Sequence, residues 1–361
     1  MAAATRTGFG HEHDAFVRAV PVKHATVDDE YVTYYDVGPR SVTGAETSSR
    51  LEGDETTPPL ICIGGLAESA ACFFRQLLSL GSLGYRVVAL SLPPRQTFPG
   101  LAAVVIGLCA HLGIDRAVLV GSGLGGFVAQ VVTQECPDLA AGLVLINAFV
   151  DLAHFASDLS CVPLIGFMPD VIIRRKLLSR LPSGLVAPEV ADSIDFMVEQ
   201  VEQLPRNAII SRCRALASHY DLDGPVPLDE DHILIIDALD DVAVPPKARA
   251  EVVKFYPNAR VAELKTGSNF PHLAVALDVH MHMQVFFRAC GWAPANSEPD
   301  EPEPADHPSN SEPLPDASSM PFPTATLPSW SSASAAPAPV VFDSFSGGFD
   351  EADDEDAADF F

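Results

Sequence analysis

Short apolar runs alternate with longer mixed stretches along most of this chain. Val20–Val27 and Tyr31–Val37 flank an acidic turn at 27–30, a pattern that predicts a β-hairpin. Pro59–Ile63, Arg86–Leu90, Ala117–Val120 and Gly142–Ile146 are short and apolar, as strands buried on both faces of a parallel sheet are. Between them, 69–80, 100–112 and a stretch ending near Glu135 read as helices. The resulting alternation predicts an α/β class, a doubly wound, mostly parallel sheet. The rhythm breaks between about 151 and 223, where 171–180 and 190–203 read as helices and strand signals are few. It resumes with a strand at Ile233–Ile236, a helix at 246–255, a strand at 260–264 and a helix at 273–290. An insertion at that point predicts a helical lid over the C-terminal strand ends, where open α/β sheets bind ligands.

The remaining segments lie outside this 16–293 body. Residues 1–15 read as a flexible N-terminus, and the pair His11 and His13 is too small a ligand set for a metal. Residues 42–58 are rich in Thr, Ser, Gly and Glu and read as a surface insertion. From 294 to 361 Pro, Ser, Ala and acids dominate, and so few aliphatics predict a disordered acidic tail.

Charge narrows the class of function. The net charge is −26, and fifteen acids without one Lys or Arg follow Trp292, leaving −11 for the rest. That balance argues against nucleic-acid binding and against simple electrostatic docking on anionic membranes. Seven scattered cysteines without a C-x-x-C pair read as buried free thiols in a reducing compartment. With neither signal-peptide pattern nor membrane-spanning apolar stretch, the cytosol is expected. No cofactor and no metal are expected.

The chemistry-bearing stretch is Val118–Val120 running into Gly121-Ser122-Gly123-Leu124-Gly125-Gly126. A strand meeting a glycine-dense turn before a helix has the form of a nucleophile elbow, G-x-S-x-G. The hydroxyl position holds Gly123, with no side chain; Ser122, one residue away, faces the core in such a turn and is the alternative nucleophile. After the 233–236 strand, Asp240 or Asp241 fits the acid slot, and a turn role suits either. After the 260–264 strand Asn269 stands where G-x-H-x-P would place the base, and an amide carries no proton near neutral pH. His272 is the substitute base or a surface or capping residue. Gly64, Gly65 and Leu66, with Leu124, form a vestigial oxyanion or ligand pocket.

Beyond that frame, several stretches resemble the maspardin family, a non-catalytic-looking branch of the α/β-hydrolase superfamily. They include Phe73-Phe74-Arg75-Gln76, Leu124-Gly125-Gly126-Phe127, Asp195-Phe196-Met197-Val198, Tyr256-Pro257-Asn258-Ala259-Arg260 and Asn269-Phe270-Pro271. The resemblance implies an α/β-hydrolase fold with a helical lid. It also implies a cytosolic protein, peripheral on endosomal or trans-Golgi membranes, acting through trafficking or receptor-tail proteins. The family keeps Ser at the elbow and Asn at the His position; Gly123 is one step further from catalysis. The first expectation is therefore a catalytically inactive interaction factor. The alternatives are an active esterase- or lipase-like hydrolase, or a hydrolase-fold lyase, with a displaced catalytic set, and a small-ligand receptor. Phe342, Phe345, Phe360 and Phe361, set among acids in the tail, are candidate contacts for other proteins.

Overall fold

The computed structural model describes residues 8–39, 57–155 and 162–294. Eight strands form one sheet: β1 (Lys23–Val27), β2 (Glu30–Val37), β3 (Leu60–Ile63), β4 (Val87–Leu90), β5 (Ala117–Ser122), β6 (Ala140–Ile146), β7 (Ile233–Ala238) and β8 (Arg260–Leu264). Their order across the sheet is β1-β2-β4-β3-β5-β6-β7-β8. β2 runs antiparallel to both β1 and β4, and every other pairing is parallel. The hairpin turns on Asp28 and Asp29, whose positive φ angles of 47° and 63° suit the right-handed twist of the strands. Each apolar run expected as a strand lies on one of these eight.

The helices are α1 (Gly8–Ala19), α2 (Phe74–Ser82), α3 (Phe98–His111), α4 (Leu124–Glu135), α5 (Asp170–Leu178), α6 (Pro188–Gln203), α7 (Arg206–Leu216), α8 (Pro246–Phe255), α9 (Pro271–Ala274) and α10 (Ala276–Ala289). The sheet is covered on both faces, so its central strands are buried throughout, and alternate residues of β5 feed two cores. Leu119 packs with residues of α3, α4 and α8, whereas Val118 and Val120 pack with residues of α2 and α10. Between β6 and β7, α5, α6 and α7 form the lid, with a small core of Val162, Ile165, Ile173, Leu204, Ile209 and Cys213. The fold is an α/β hydrolase sandwich with its insertion at the C-terminal strand ends.

Three local expectations need correction. The N-terminus is not flexible through residue 15, because α1 begins at Gly8. Phe9 and Phe16 are buried, with the Phe9 ring 5.5 Å from Phe74 and 5.3 Å from Phe196. His13 packs in the same aromatic cluster, and Arg75 binds Glu12 at 2.8 Å while lying 4.3 Å over the Phe9 ring. Long-range aromatic burial of one face therefore holds this helix in place. Second, α7 was not foreseen as a separate helix. Third, the last helix is broken at Val275 into α9 and α10. Among the described residues no helix is long and apolar enough to cross a membrane. Most of the 42–58 insertion, and the tail with Phe342, Phe345, Phe360 and Phe361, lie outside the described residues.

Candidate functional site

β5 ends in a sharp turn at Gly123, with φ 50° and ψ −115°, and α4 follows at once. The Gly123 N–H donates to the Ile146 carbonyl at 2.9 Å, which fixes the turn against β6. Around it the backbone is packed tightly. A Cβ on Gly126 would stand 2.7 Å from the Ala148 Cβ, and one on Gly125 would meet the carbonyl oxygens of Ile63 and Gly64. At Gly123 the space is open: no heavy atom lies within 4 Å of the Cβ position. The elbow geometry is complete, and its apex carries no reacting atom.

Ser122 does not replace it. Its side chain is buried beneath the elbow and its Oγ donates to Glu68 Oε1 at 2.8 Å. The other oxygen of Glu68 lies 3.5 Å from His272 Nε2. His272 is fully buried, stacked on Phe73 at 4.7 Å between centroids, so it is neither a surface nor a capping residue. Glu68 thus stands between Ser122 and His272. A base must reach the hydroxyl proton itself; His272 does not, because the Ser122 hydroxyl is given to the Glu68 carboxylate that stands between them. Arg212 of α7 completes this buried group, donating to the carbonyls of Glu68 at 2.8 Å, Leu66 at 3.1 Å and Leu92 at 2.9 Å. Burial lowers its pKa to about 10, against the opposing charge of Glu68.

The two acid candidates separate. Asp240 is exposed and accepts from the Ser268 N–H at 2.7 Å and the Thr266 hydroxyl at 3.1 Å, so it holds the loop after β8. Asp241 is buried, accepts from the Ala243 N–H at 2.8 Å and lines the cavity described below. Burial pushes its pKa up to about 6. Asn269 is engaged at both ends of its amide. Its oxygen accepts from the Val242 N–H at 3.2 Å and its nitrogen donates to the Arg180 carbonyl of the lid at 2.8 Å. The residue read as a lost base is a clip between sheet and lid. Asn147, not foreseen as a site residue, works similarly, donating to the Ser268 carbonyl and accepting from the Ala238 N–H, both at 2.8 Å. An Asn ending an apolar run was its only signal in the sequence; in the structure it takes the left-handed conformation, φ 43°, that Asn tolerates.

Lid and elbow line a half-open cavity of about 190 Å³. Gly65, Leu66, Leu124, Gly123, Asp241 and Asn269 line it, together with Ser122 and Glu68, and apolar side chains from the lid form about half of the remaining wall. Gly64 turns away and packs against the stem of Glu68. Among the described residues, Asp151, His154 and Glu251 bring potential metal-ligand atoms within 4.8 Å of one another. There His154 already pairs with Glu251 at 2.6 Å and Asp151 accepts from the Ala153 N–H at 2.8 Å. Among the described residues Cys62, Cys72, Cys109 and Cys213 are buried thiols in no disulfide, whereas Cys136 and Cys290, likewise unbridged, are only partly buried.

Asp237, at the end of β7, gives a pH prediction. Burial raises its pKa to about 7, Arg249 opposes, and Asp241 and Glu263 add to the rise. The folded state therefore binds a proton that the unfolded chain releases near pH 4. The stabilisation is full below that pH and is lost as pH rises through about 7. Asp237→Asn is expected to flatten this fall and to raise neutral-pH stability relative to wild type, measured by urea unfolding at pH 5 and pH 8.

Residues 60–289 match the model of the alpha/beta hydrolase family. Zebrafish (Danio rerio) maspardin is 32% identical over 77% of this chain and 86% of its own length. Human maspardin is 33% identical over 76% of this chain and 85% of its own. Among solved structures, an esterase from Thermogutta terrifontis superposes with a TM-score of 0.60 at 16% identity, covering 74% of this chain and 98% of its own. The enol-lactonase of Burkholderia xenovorans LB400 gives 0.59 at 17%, covering 74% and 100%. At such identities the two structures share the fold alone.

Proposed function

The chain belongs to the maspardin family of α/β-hydrolase-fold proteins, and from that membership we propose that it is catalytically silent and works by binding other proteins. The setting we infer is peripheral, on endosomal or trans-Golgi membranes, in trafficking or signalling. One observation carries the silence: Gly123 opens on empty space where a hydroxyl belongs, while the Asn269 amide is spent on Val242 and Arg180. Without nucleophile and base, acyl transfer loses about 10⁶ in rate, and binding alone remains. The purified chain is expected to resist labelling by a fluorophosphonate probe and to leave short- and medium-chain nitrophenyl esters intact. Labelling at Ser122, or turnover abolished by Ser122→Ala, overturns the reading.

Protein binding is tested separately. Residues 335–361 are expected to capture partners from a cytosolic extract that a Phe342→Ala/Phe345→Ala version does not. Equal recovery by both removes these aromatics from the account. The alternative, an active hydrolase or lyase with a displaced catalytic set, is favoured by one feature, the lidded cavity beside the elbow.

A further inference from the structure

The acidity of the chain is reversed on the lid. From 162 to 187 the sequence has one acid, Asp170, against Arg174, Arg175, Lys176 and Arg180, in a chain of net charge −26. Asp170 is already bound by Arg174 at 2.7 Å. Arg175 and Lys176 are exposed, and among the described residues neither meets a carboxylate.

The same stretch turns apolar side chains outward. Phe167 is 89% exposed, Val171 76% and Leu164 62%. The lid core does not need them, because Val162, Ile165 and Ile173 on the same two short helices already fill it. Apart from Asp170, whose half-exposed carboxylate is tied up by Arg174, every exposed residue from 163 to 176 is aliphatic, aromatic, glycine, proline or cationic. Such a face offers apolar tips and point charges but little directional hydrogen bonding. It complements a layer that is apolar beneath and anionic above, which is the boundary region of an anionic bilayer.

We propose that the outer face of the lid, 163–176, docks on an anionic lipid surface. Phe167 and Val171 enter the boundary between headgroups and acyl chains, and Arg175 and Lys176 meet the headgroup charge. The proposal rests on the peripheral-membrane reading above and names the surface it uses. It also reconciles a strongly acidic chain with an anionic membrane, since attraction within a Debye length of the patch is set by local charge. On the inner side of the same stretch the buried Ile165 and Ile173, with part of Lys176, line the cavity, so the docked segment is also its roof.

The test is co-sedimentation of the purified full chain with vesicles of phosphatidylcholine alone or mixed with phosphatidylserine. Binding is expected only with phosphatidylserine, weakening as salt rises. Arg175→Glu/Lys176→Glu and Phe167→Ser/Val171→Ser are each expected to weaken it by at least about tenfold, at roughly fivefold per cation near the surface. Their circular dichroism and melting temperature should match wild type, because all four residues are exposed. Absence of binding to phosphatidylserine vesicles, or variants that bind like wild type, overturns the proposal. A chain that fractionates with cell membranes yet misses protein-free vesicles is carried there by a protein receptor; lipid docking then falls and the peripheral reading stands.

Discussion

Gly125→Ala is expected to yield little folded protein, while Gly123→Ser, two residues away, folds and remains inert. The added methyl at 125 would be forced against the carbonyl oxygens of Ile63 and Gly64 at the end of β3. Both are backbone atoms, so no rotamer change relieves the clash; α4 must part from the sheet. Overpacking of this kind costs about 3 kcal/mol or more, a large share of the 5–15 kcal/mol that typically holds a domain together. At 123 the Cβ position is empty, and the cost reduces to holding a non-glycine residue at φ 50°, about 1–2 kcal/mol. Expression yield and thermal melting separate the two. The serine restored at 123 is expected to leave ester turnover within about tenfold of background, because Asn269 still cannot take its proton. Vigorous hydrolysis by Gly123→Ser alone would mean that a base operates within reach of the elbow, and the silent reading would then fail.

That contrast also marks how far the sequence was legible. The sheet was readable because buried strands need uninterrupted apolar runs, and Leu60–Ile63 and Ala140–Ile146 leave no other reading. The elbow was readable because close packing admits only glycine at 125 and disfavours anything larger at 126. The site's polar connections were not. Ser122 meets Glu68 across 54 residues and Arg212 meets Glu68 across 144, separations that no periodicity encodes. Each acid and base considered singly fits several roles. Asp240 and Asp241 are adjacent, yet one is exposed on a loop tie and the other buried at the cavity, and only the turn between β7 and α8 decides which. Asn269 was readable as a missing base but not as a clip, since its partners Val242 and Arg180 come from two other loops. α1 escaped for the same reason: Phe9 and Phe16 gain their burial from Phe74 and Phe196, far along the chain.

Arg212→Met is expected to be among the most damaging single changes away from the elbow. The guanidinium is fully buried and bridges two loops, those bearing Leu66 and Glu68 on one side and Leu92 on the other. Methionine fills much of its volume but returns none of its donors. Four carbonyls, Gly65 among them, then lose a charged partner, and Glu68 keeps a buried carboxylate without the cation opposing it. Removing one member of a buried ionic group costs about 3–5 kcal/mol, mainly through the charge left behind. For a body of this size that corresponds to a melting temperature lowered by roughly 6–20 °C. Lysine should recover little, since one ammonium cannot serve carbonyls spread over two loops. Glu68→Gln made in the Arg212→Met background is expected to cost less than in wild type, the signature of two groups acting together. Because α7 carries Arg212, its loss should also loosen the lid, seen as faster proteolysis between 178 and 188 at temperatures well below melting. A variant that melts with wild type, with its lid equally protected, would show that the bridge between the lid and the loops after β3 and β4 holds nothing in place.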